Sequence, residues 1–499
     1  MDYLDMLEQQ NKLRMTKTEN GADAYATSGK YLVDFNFSIS AMRSADPDKI
    51  ISSYVKAYSD DALSAILDMF YVGDIRQGLG ERHIFRSCLE FICGSHPDIA
   101  KAVLPLVPEY SRWDSVLIYL KYPQTRNAAA RFIKNQLHTD LMRASDGKSI
   151  SLCAKWMPSV NASSTETVLT AKKLTFLLGW SEWKYRKTLS KLRRYANVVE
   201  VKMSAGEWWN IDYEAVPSRA NLLYEHAFMK NDQTRRIGYL QSLAKGKKKI
   251  NSGVLYPHEI VQKIWNRGDS ALYEPMWKAL PDYGIRNTLV VRDGSGSMTY
   301  FNYKGSHTRP IDVATALAIY LADHNSQGWR DKFITFSSDP EVVDMSGCKT
   351  LRDKVRLAYS HNEYTNTDIY KTMCLILDTA VANKIPADEM PESIVILSDM
   401  QFDAHEHHFG GSLFDGIKKQ FEANGYKLPR ICFWNLTGDT YKTVPMQEND
   451  SGLVLCSGFS PNIINMMMSG DIKDPYDILL RTLNGDRYKA VKEAVKGLL

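Results

Sequence analysis

At 499 residues the chain is longer than one hydrophobic core ordinarily supports, so two or three domains are expected. Its 44% hydrophobic and 24% charged residues are those of an ordinary soluble globular protein and exclude a disordered or fibrous chain. The net charge of +4 is unevenly spread: residues 1–286 hold 40 Lys and Arg against 31 Asp and Glu, whereas residues 287–499 hold 22 against 27, so only the first part suits a polyanion.

Seven cysteines, an odd number far apart and without a Cys-x-x-Cys pair, exclude a disulfide framework and read as reduced, mostly buried thiols. The start lacks a basic region followed by an apolar one, and no stretch approaches about 18 apolar residues, so a cytoplasmic, membrane-free protein is expected.

Residues 1–36 are polar and glycine-containing, which predicts an N-terminal arm, partly mobile or used for docking. From 37 to 284 apolar residues recur at helical spacing, as in Ile51, Tyr54, Val55 and Tyr58, then Leu63, Ile66, Leu67 and Phe70. Asp46-Pro47, Ser59-Asp60-Asp61, Gly78-Leu79-Gly80 and His96-Pro97 punctuate it. The expectation is an α-helical, HEAT-like repeat module of antiparallel helix pairs, although no sequence period stands out. Its basic residues are densest at Lys172, Lys173, Lys184, Arg186, Lys187, Lys191, Arg193 and Arg194, and again from Lys230 to Lys249. Solvated helix faces would give the same pattern.

After Gly284 the pattern changes to short β-branched runs, at Thr288–Val291, Lys332–Phe336, Ser393–Leu397, Arg430–Trp434 and Leu453–Leu455. Amphipathic stretches alternate with them, which predicts a doubly wound α/β domain over 285–470, with Glu341–Met345 as an antiparallel edge strand. A helical tail, 471–499, closes the chain.

The run Arg292-Asp293-Gly294-Ser295-Gly296-Ser297 follows the first of these strands, at the strand end where open α/β sheets bind ligands. Asp-x-Ser-x-Ser sets one carboxylate and two hydroxyls around a tight turn. Thr367, before a helix, and Asp399, directly after a strand, supply further oxygens at later strand ends. Five hard oxygen ligands without His or Cys suit Mg²⁺ or Mn²⁺ and argue against zinc. Such an ion keeps an open position that a partner's carboxylate or phosphate completes. The plainer alternative is that Asp293 caps a helix and the serines belong to a glycine-rich turn.

These five residues resemble the complete metal-ion-dependent adhesion site (MIDAS) of von Willebrand A domains. A helical module followed by such a domain resembles the Ro-type ribonucleoproteins, whose TROVE module binds RNA. The middle of the chain is similar, more closely, to an uncharacterised bacterial, phage and eukaryotic family of the same two-part plan. That likeness is carried by Asp74–Arg82, Tyr110-Ser111-Arg112-Trp113-Asp114, Ala154–Ser159 and Val216-Pro217-Ser218-Arg219-Ala220. The resemblance implies a TROVE-like helical module, a magnesium-binding von Willebrand A domain, and RNA as a partner.

Arg76, Glu81 and Arg82 lie between two helices and fit either a phosphate site or an inter-helix salt bridge. Arg112-Trp113 and Lys155-Trp156 pair cations with aromatics, as single-stranded nucleic acid requires, although tryptophan at helical spacing also serves a core. The RNA-contact candidates are therefore Arg76, Arg82, Arg112, Lys184, Arg186, Lys187, Arg193 and Arg194. Asp403, His405, Glu406, His407 and His408 read as a polar loop over the cation face, with a second metal as the alternative. His83, Cys88, Cys93 and His96 do not converge on one helix face as a zinc site needs.

Gly147-Lys148-Ser149 has Met142 where a Walker loop has glycine, and no His-Glu-x-x-His occurs, so no catalysis is expected. The leading expectation is a non-catalytic RNA-binding scaffold with a metal-dependent docking domain. The alternatives are a protein-protein adaptor or virion-associated component without nucleic acid, and a metal-dependent hydrolase.

Overall fold

Apolar runs flanked by turn residues become the strands of one sheet in the computed structural model. It describes residues 15–18, 21, 23–250, 252–267, 271–300, 303, 307–336, 339–362, 368–402, 413–436, 452–467 and 474–499. A short antiparallel hairpin, β1 (Met15–Lys17) and β2 (Asp23–Tyr25), comes first. The sheet strands are β3 (Thr288–Asp293), β4 (Lys332–Phe336), β5 (Val342–Asp344), β6 (Ser393–Ser398), β7 (Arg430–Asn435) and β8 (Leu453–Ser457). Their order is β5-β4-β3-β6-β7-β8, parallel except for the antiparallel edge strand β5. Every residue of β3, β6 and β8 is buried, as expected of strands covered on both faces. From β3 the chain passes to β4 on one side and returns to β6 on the other. The order therefore reverses between β3 and β6, and a crevice opens there at the carboxyl ends.

Two compact units divide the chain, and neither is continuous in sequence: one comprises 1–65 and 255–485, the other 66–254 and 486–499. This differs from continuous segments at 37–284 and 285–470, and burial explains why. The Pro310–Asp323 helix has Pro310 through Ala322 all buried, so its outer side also needs cover. The Pro257–Arg267 helix provides it, with Gln262 Nε2 donating to Asp312 Oδ2 at 3.0 Å. Trp277 Nε1 donates to Asp323 Oδ2 at 2.7 Å, and Lys354 Nζ joins Asp323 to Asp331.

The described part of the N-terminal arm, together with the residues that follow it as far as 65, also belongs to this sheet unit. Phe35, Phe37 and Ile39 are buried, and Ser40 Oγ donates to Asn435 O at 2.9 Å while its amide donates to Ser457 Oγ at 2.9 Å. Thr18 Oγ1 reaches Phe402 O at 2.6 Å. A polar sequence concealed this because the segment docks through hydroxyls and amides at the ends of β6, β7 and β8.

The helical unit gathers around the Pro123–Ser145 helix, which packs against Pro97–Val103, Trp113–Lys121, Thr165–Leu178 and Glu182–Tyr195. The expected C-terminal tail is split: Pro475–Leu483 lies in the sheet unit, and Lys489–Val495 in the helical one. Arg487 fastens the latter. Its Nε and Nη2 bond Asp74 at 2.7 and 3.2 Å, its Nη1 bonds Glu109 at 2.8 Å, and its guanidinium lies 4.3 Å from the Tyr110 ring centre.

All seven cysteines are free, five of them buried, and among the described residues no helix is long and apolar enough to cross a membrane. The reassignment sharpens the charge asymmetry. The helical unit carries 33 Lys and Arg against 19 Asp and Glu, a net +14, and the sheet unit carries 29 against 39, a net −10.

Because the Asp74 carboxylate is 0% exposed, removing Arg487 strands a buried charge. Arg487→Ala should lower stability of the helical unit by about 3–5 kcal/mol in urea unfolding, with Arg487→Lys between it and wild type. A decrease below about 1 kcal/mol would show that the ion pair is dispensable.

Candidate cation site and basic cleft

Parallel register brings the carboxyl ends of β3 and β6 together: Arg292 pairs with Leu397, so Asp293 stands beside Ser398, and Asp399 follows at once. Ser398 Oγ donates to Asp293 Oδ2 at 2.6 Å, and the Ser295 amide donates to Asp293 Oδ1 at 2.9 Å. The hydroxyls of Ser295 and Ser297 are 3.1 Å apart, and the Gln401 amide donates to Asp399 Oδ1 at 3.2 Å. Asp293, Ser295 and Asp399 are buried, whereas Ser297 is exposed and marks the open side.

Burial, followed by the charge of Asp399, pushes the Asp293 carboxyl up to about 7, against the opposing pull of hydrogen bonds from Ser398 and Ser295. Two carboxylates held this way favour a proton or a cation between them. The available donors are carboxylates and hydroxyls, which fit a small hard cation. Among the described residues no three His, Cys, Asp or Glu come together, so the hydroxyls are essential to any such site.

Three features here were not singled out from sequence. Met400 adopts a left-handed backbone, φ +65°, with its amide donating to Ser398 Oγ at 3.1 Å, a strained turn of the kind functional sites retain. Ser398 is a second: it extends β6 by one residue beyond the predicted Ser393–Leu397 and donates to Asp293. Arg292, fully buried, has its guanidinium on Thr315 Oγ1 (3.1 Å), Asn362 Oδ1 (2.6 Å) and His361 O (2.8 Å). A Cβ on Gly294 would lie 3.4 Å from His361 O, so this turn rests against the Asp293 loop. The signal was a charged residue closing an apolar run. Residues 361–362 lead in sequence to Thr367, which lies outside the described residues, as do Asp403, His405, Glu406, His407 and His408.

In the helical unit the Glu182–Tyr195 helix presents Arg186, Lys187, Ser190, Arg193 and Arg194 to one cleft of ≈ 370 Å³, with Ser159 and Asn161 on its other wall. Lys184, Arg186, Lys187 and Arg194 are exposed, and Lys184 Nζ lies 4.9 Å from the centre of the Trp180 ring. Trp183 beside them is 64% exposed.

Arg193 must be reassigned. Its Nε donates to Ala154 O (2.8 Å), Nη1 to Ser159 Oγ (2.9 Å) and Nη2 to Met157 O (2.7 Å), so it clasps the cleft wall and three of its five N–H donors are already engaged. Arg76 is exposed on the turn where Gly78 passes Tyr71 O so closely that a Cβ would sit 2.0 Å from it. Arg82 and Arg112 meet elsewhere. Arg112 pairs bidentately with Asp114 and lies 3.8 Å from the Trp156 ring centre, and its field acts on Arg82. Cys88 and Cys93 are core residues of the Arg82–Ser95 helix.

Residues 121–288 match the family described as "Domain of unknown function (DUF2828)", and residues 287–496 match "Domain of unknown function (DUF7788)". The chain is 30% identical over 508 aligned positions to "Uncharacterized protein L728" of Acanthamoeba polyphaga mimivirus, covering 93% of this chain and 86% of that protein. It belongs to the family of that protein. The crystal structure of Deinococcus radiodurans RO (RSR) protein aligns with 89% of this chain and 94% of that one, at 15% identity and a TM-score of 0.46.

The hydrogen bonding separates two adjacent arginines. Arg193→Leu leaves Ala154 O, Met157 O and Ser159 Oγ without their donor and should cost about 2–3 kcal/mol in denaturant unfolding, while Arg194→Leu should change stability by less than about 0.5 kcal/mol. Equal effects of the two substitutions would contradict the assignment.

Proposed function

We propose that this protein is a non-catalytic, two-part binding scaffold. In this reading the sheet unit holds Mg²⁺ or Mn²⁺ at Asp293, Ser295, Ser297, Thr367 and Asp399, and the ion docks a carboxylate or phosphate of a partner. The helical unit binds single-stranded RNA along the cleft beside the Glu182–Tyr195 helix. The observation that carries the first part is the pair of buried carboxylates at the point where strand order reverses, with the Ser295 amide on Asp293 and the exposed Ser297 hydroxyl 3.1 Å from that of Ser295. The cation would supply positive charge at the crevice and an open coordination position. Asp293 and Asp399 would neutralise it, and the hydroxyls would bind without adding negative charge. Arg292 would hold the 361–362 turn against the Asp293 loop.

The second part rests on the net +14 of the helical unit and on the grouping of Arg186, Lys187 and Arg194 in one cleft beside exposed Trp183. Cations following phosphates and an open aromatic face together suit a single strand. An adaptor without nucleic acid is favoured by a different feature: Leu169 and Phe176, 63% and 83% exposed, share a face of the Thr165–Leu178 helix.

The ion has a signed pH dependence. With its folded pKa near 7, above the ordinary 3.8, Asp293 destabilises the metal-free protein progressively as pH rises from about 4 to 7, and metal binding must displace its proton. Asp293→Asn should therefore raise the melting temperature in chelator at pH 8 while abolishing Mg²⁺ and Mn²⁺ binding in calorimetry. Wild-type affinity should fall about tenfold per pH unit below 7. Unchanged metal binding by Asp293→Asn would eliminate the site.

Filter binding of a mixed-sequence single strand tests the second part. Affinity should fall steeply with salt, and Lys187→Glu with Arg194→Glu should weaken all sequences alike and flatten the log-log slope by about 0.7 for each cation removed. Asp293→Asn should bind as wild type does. No binding by wild type at low salt would replace the RNA reading with the adaptor.

A further inference from the structure

Two arginines in the helical unit converge on a single carboxylate, and the charge of a third acts on the same group. Arg86 Nη2 pairs with Asp114 Oδ2 at 2.8 Å and its Nε donates to Ser115 Oγ at 3.3 Å. Arg112 uses Nε and Nη2 on the same Asp114, with its plane set over Trp156. Both side chains are thus fixed in place yet about a third exposed, at 31% and 33%, and among the described residues the Nη1 groups of both make no hydrogen bond.

Arg82 lies within the field of Arg112, Arg86 and Asp114 and has no ion pair of its own among the described residues. It is the first residue of the Arg82–Ser95 helix, whose N-cap Glu81 makes no side-chain cap bond and whose first turn holds no acidic residue. A cation at that end opposes the helix dipole, which favours anions there. Although exposed overall, its guanidinium is partly desolvated, and that burial, followed by the charges of Arg112 and Arg86, lowers its pKa to about 10 against the pull of Asp114.

We infer that Arg82, Arg86 and Arg112 form a receptor for a phosphomonoester dianion, the terminal phosphate of an RNA strand lying in the neighbouring cleft. Three guanidiniums less one carboxylate leave two positive charges, to which Arg219, whose charge also acts on Arg82, adds. A terminal phosphate carries nearly two negative charges, whereas an internal phosphodiester carries one. Asp114 orients Arg86 and Arg112 so that their unused Nη1 groups, with the whole fork of Arg82, are left for phosphate oxygens. Trp156 connects the triad to the cleft, because it lies in the segment that Arg193 clasps and whose end, Ser159, lines the cleft. The assignment of the strand rests on the RNA reading above.

The test compares an internally labelled mixed-sequence RNA bearing a 5′-phosphate, a 3′-phosphate or hydroxyls at both ends, by fluorescence anisotropy with the full chain. One phosphorylated strand should bind about tenfold more tightly than the hydroxyl-ended strand. Arg82→Gln should erase that preference, keep the hydroxyl-ended affinity within about twofold, and melt no lower than wild type because it removes a like charge. Equal affinity for all three strands would overturn this inference and leave the RNA reading standing. The triad is likewise overturned if the preference survives in both Arg82→Gln and Arg86→Gln, or if Arg82→Gln melts well below wild type. Failure of every strand to bind wild type would overturn both readings.

Discussion

Two carboxylates are held next to each other in the interior of the sheet unit, with a strained backbone turn and a buried arginine beside them. Burying one acid raises its pKa, and placing a second beside it raises the cost further, so Asp293 opposes folding unless a proton or a cation joins the pair. The sheet explains why they meet: parallel register sets the ends of β3 and β6 side by side, at the point where strand order reverses. The left-handed Met400, the buried Arg292 and the close approach of Gly294 to the 361–362 turn all lie within this small region.

The strands were legible because burial on both faces leaves an unbroken β-branched run, and even the antiparallel edge strand could be read from the short run at 342–344. The unit boundaries were less so. Periodicity reports that a helix has a buried face but not which partner covers it. The Pro257–Arg267 helix therefore read as one more member of a helical module, although it packs on Pro310–Asp323. Residues 15–42 were hidden for the opposite reason: their attachment runs through Thr18 and Ser40 as well as buried rings, and local sequence does not distinguish such hydroxyls from solvated ones.

The same limit applied to the cations. The basic helix Glu182–Tyr195 was legible in the sequence, but Arg193 ranked with Arg194 there, since neighbours in a helix look alike until their hydrogen bonds are known. Arg86 was missed because its role depends on Asp114, which is distant along the chain. Assigning each charge to its compact unit, rather than to halves of the sequence, changes a modest bias into +14 against −10. The helical unit is thereby marked as the one suited to polyanions.

Anomalous diffraction from crystals of the full chain grown with Mn²⁺ near pH 8 tests the cation site most directly. One strong manganese peak is expected between the Asp293 and Asp399 side chains, octahedrally surrounded, with oxygens of Ser295, Ser297 and Thr367 among its neighbours. A well-ordered crevice with no manganese peak between those two carboxylates would contradict the site.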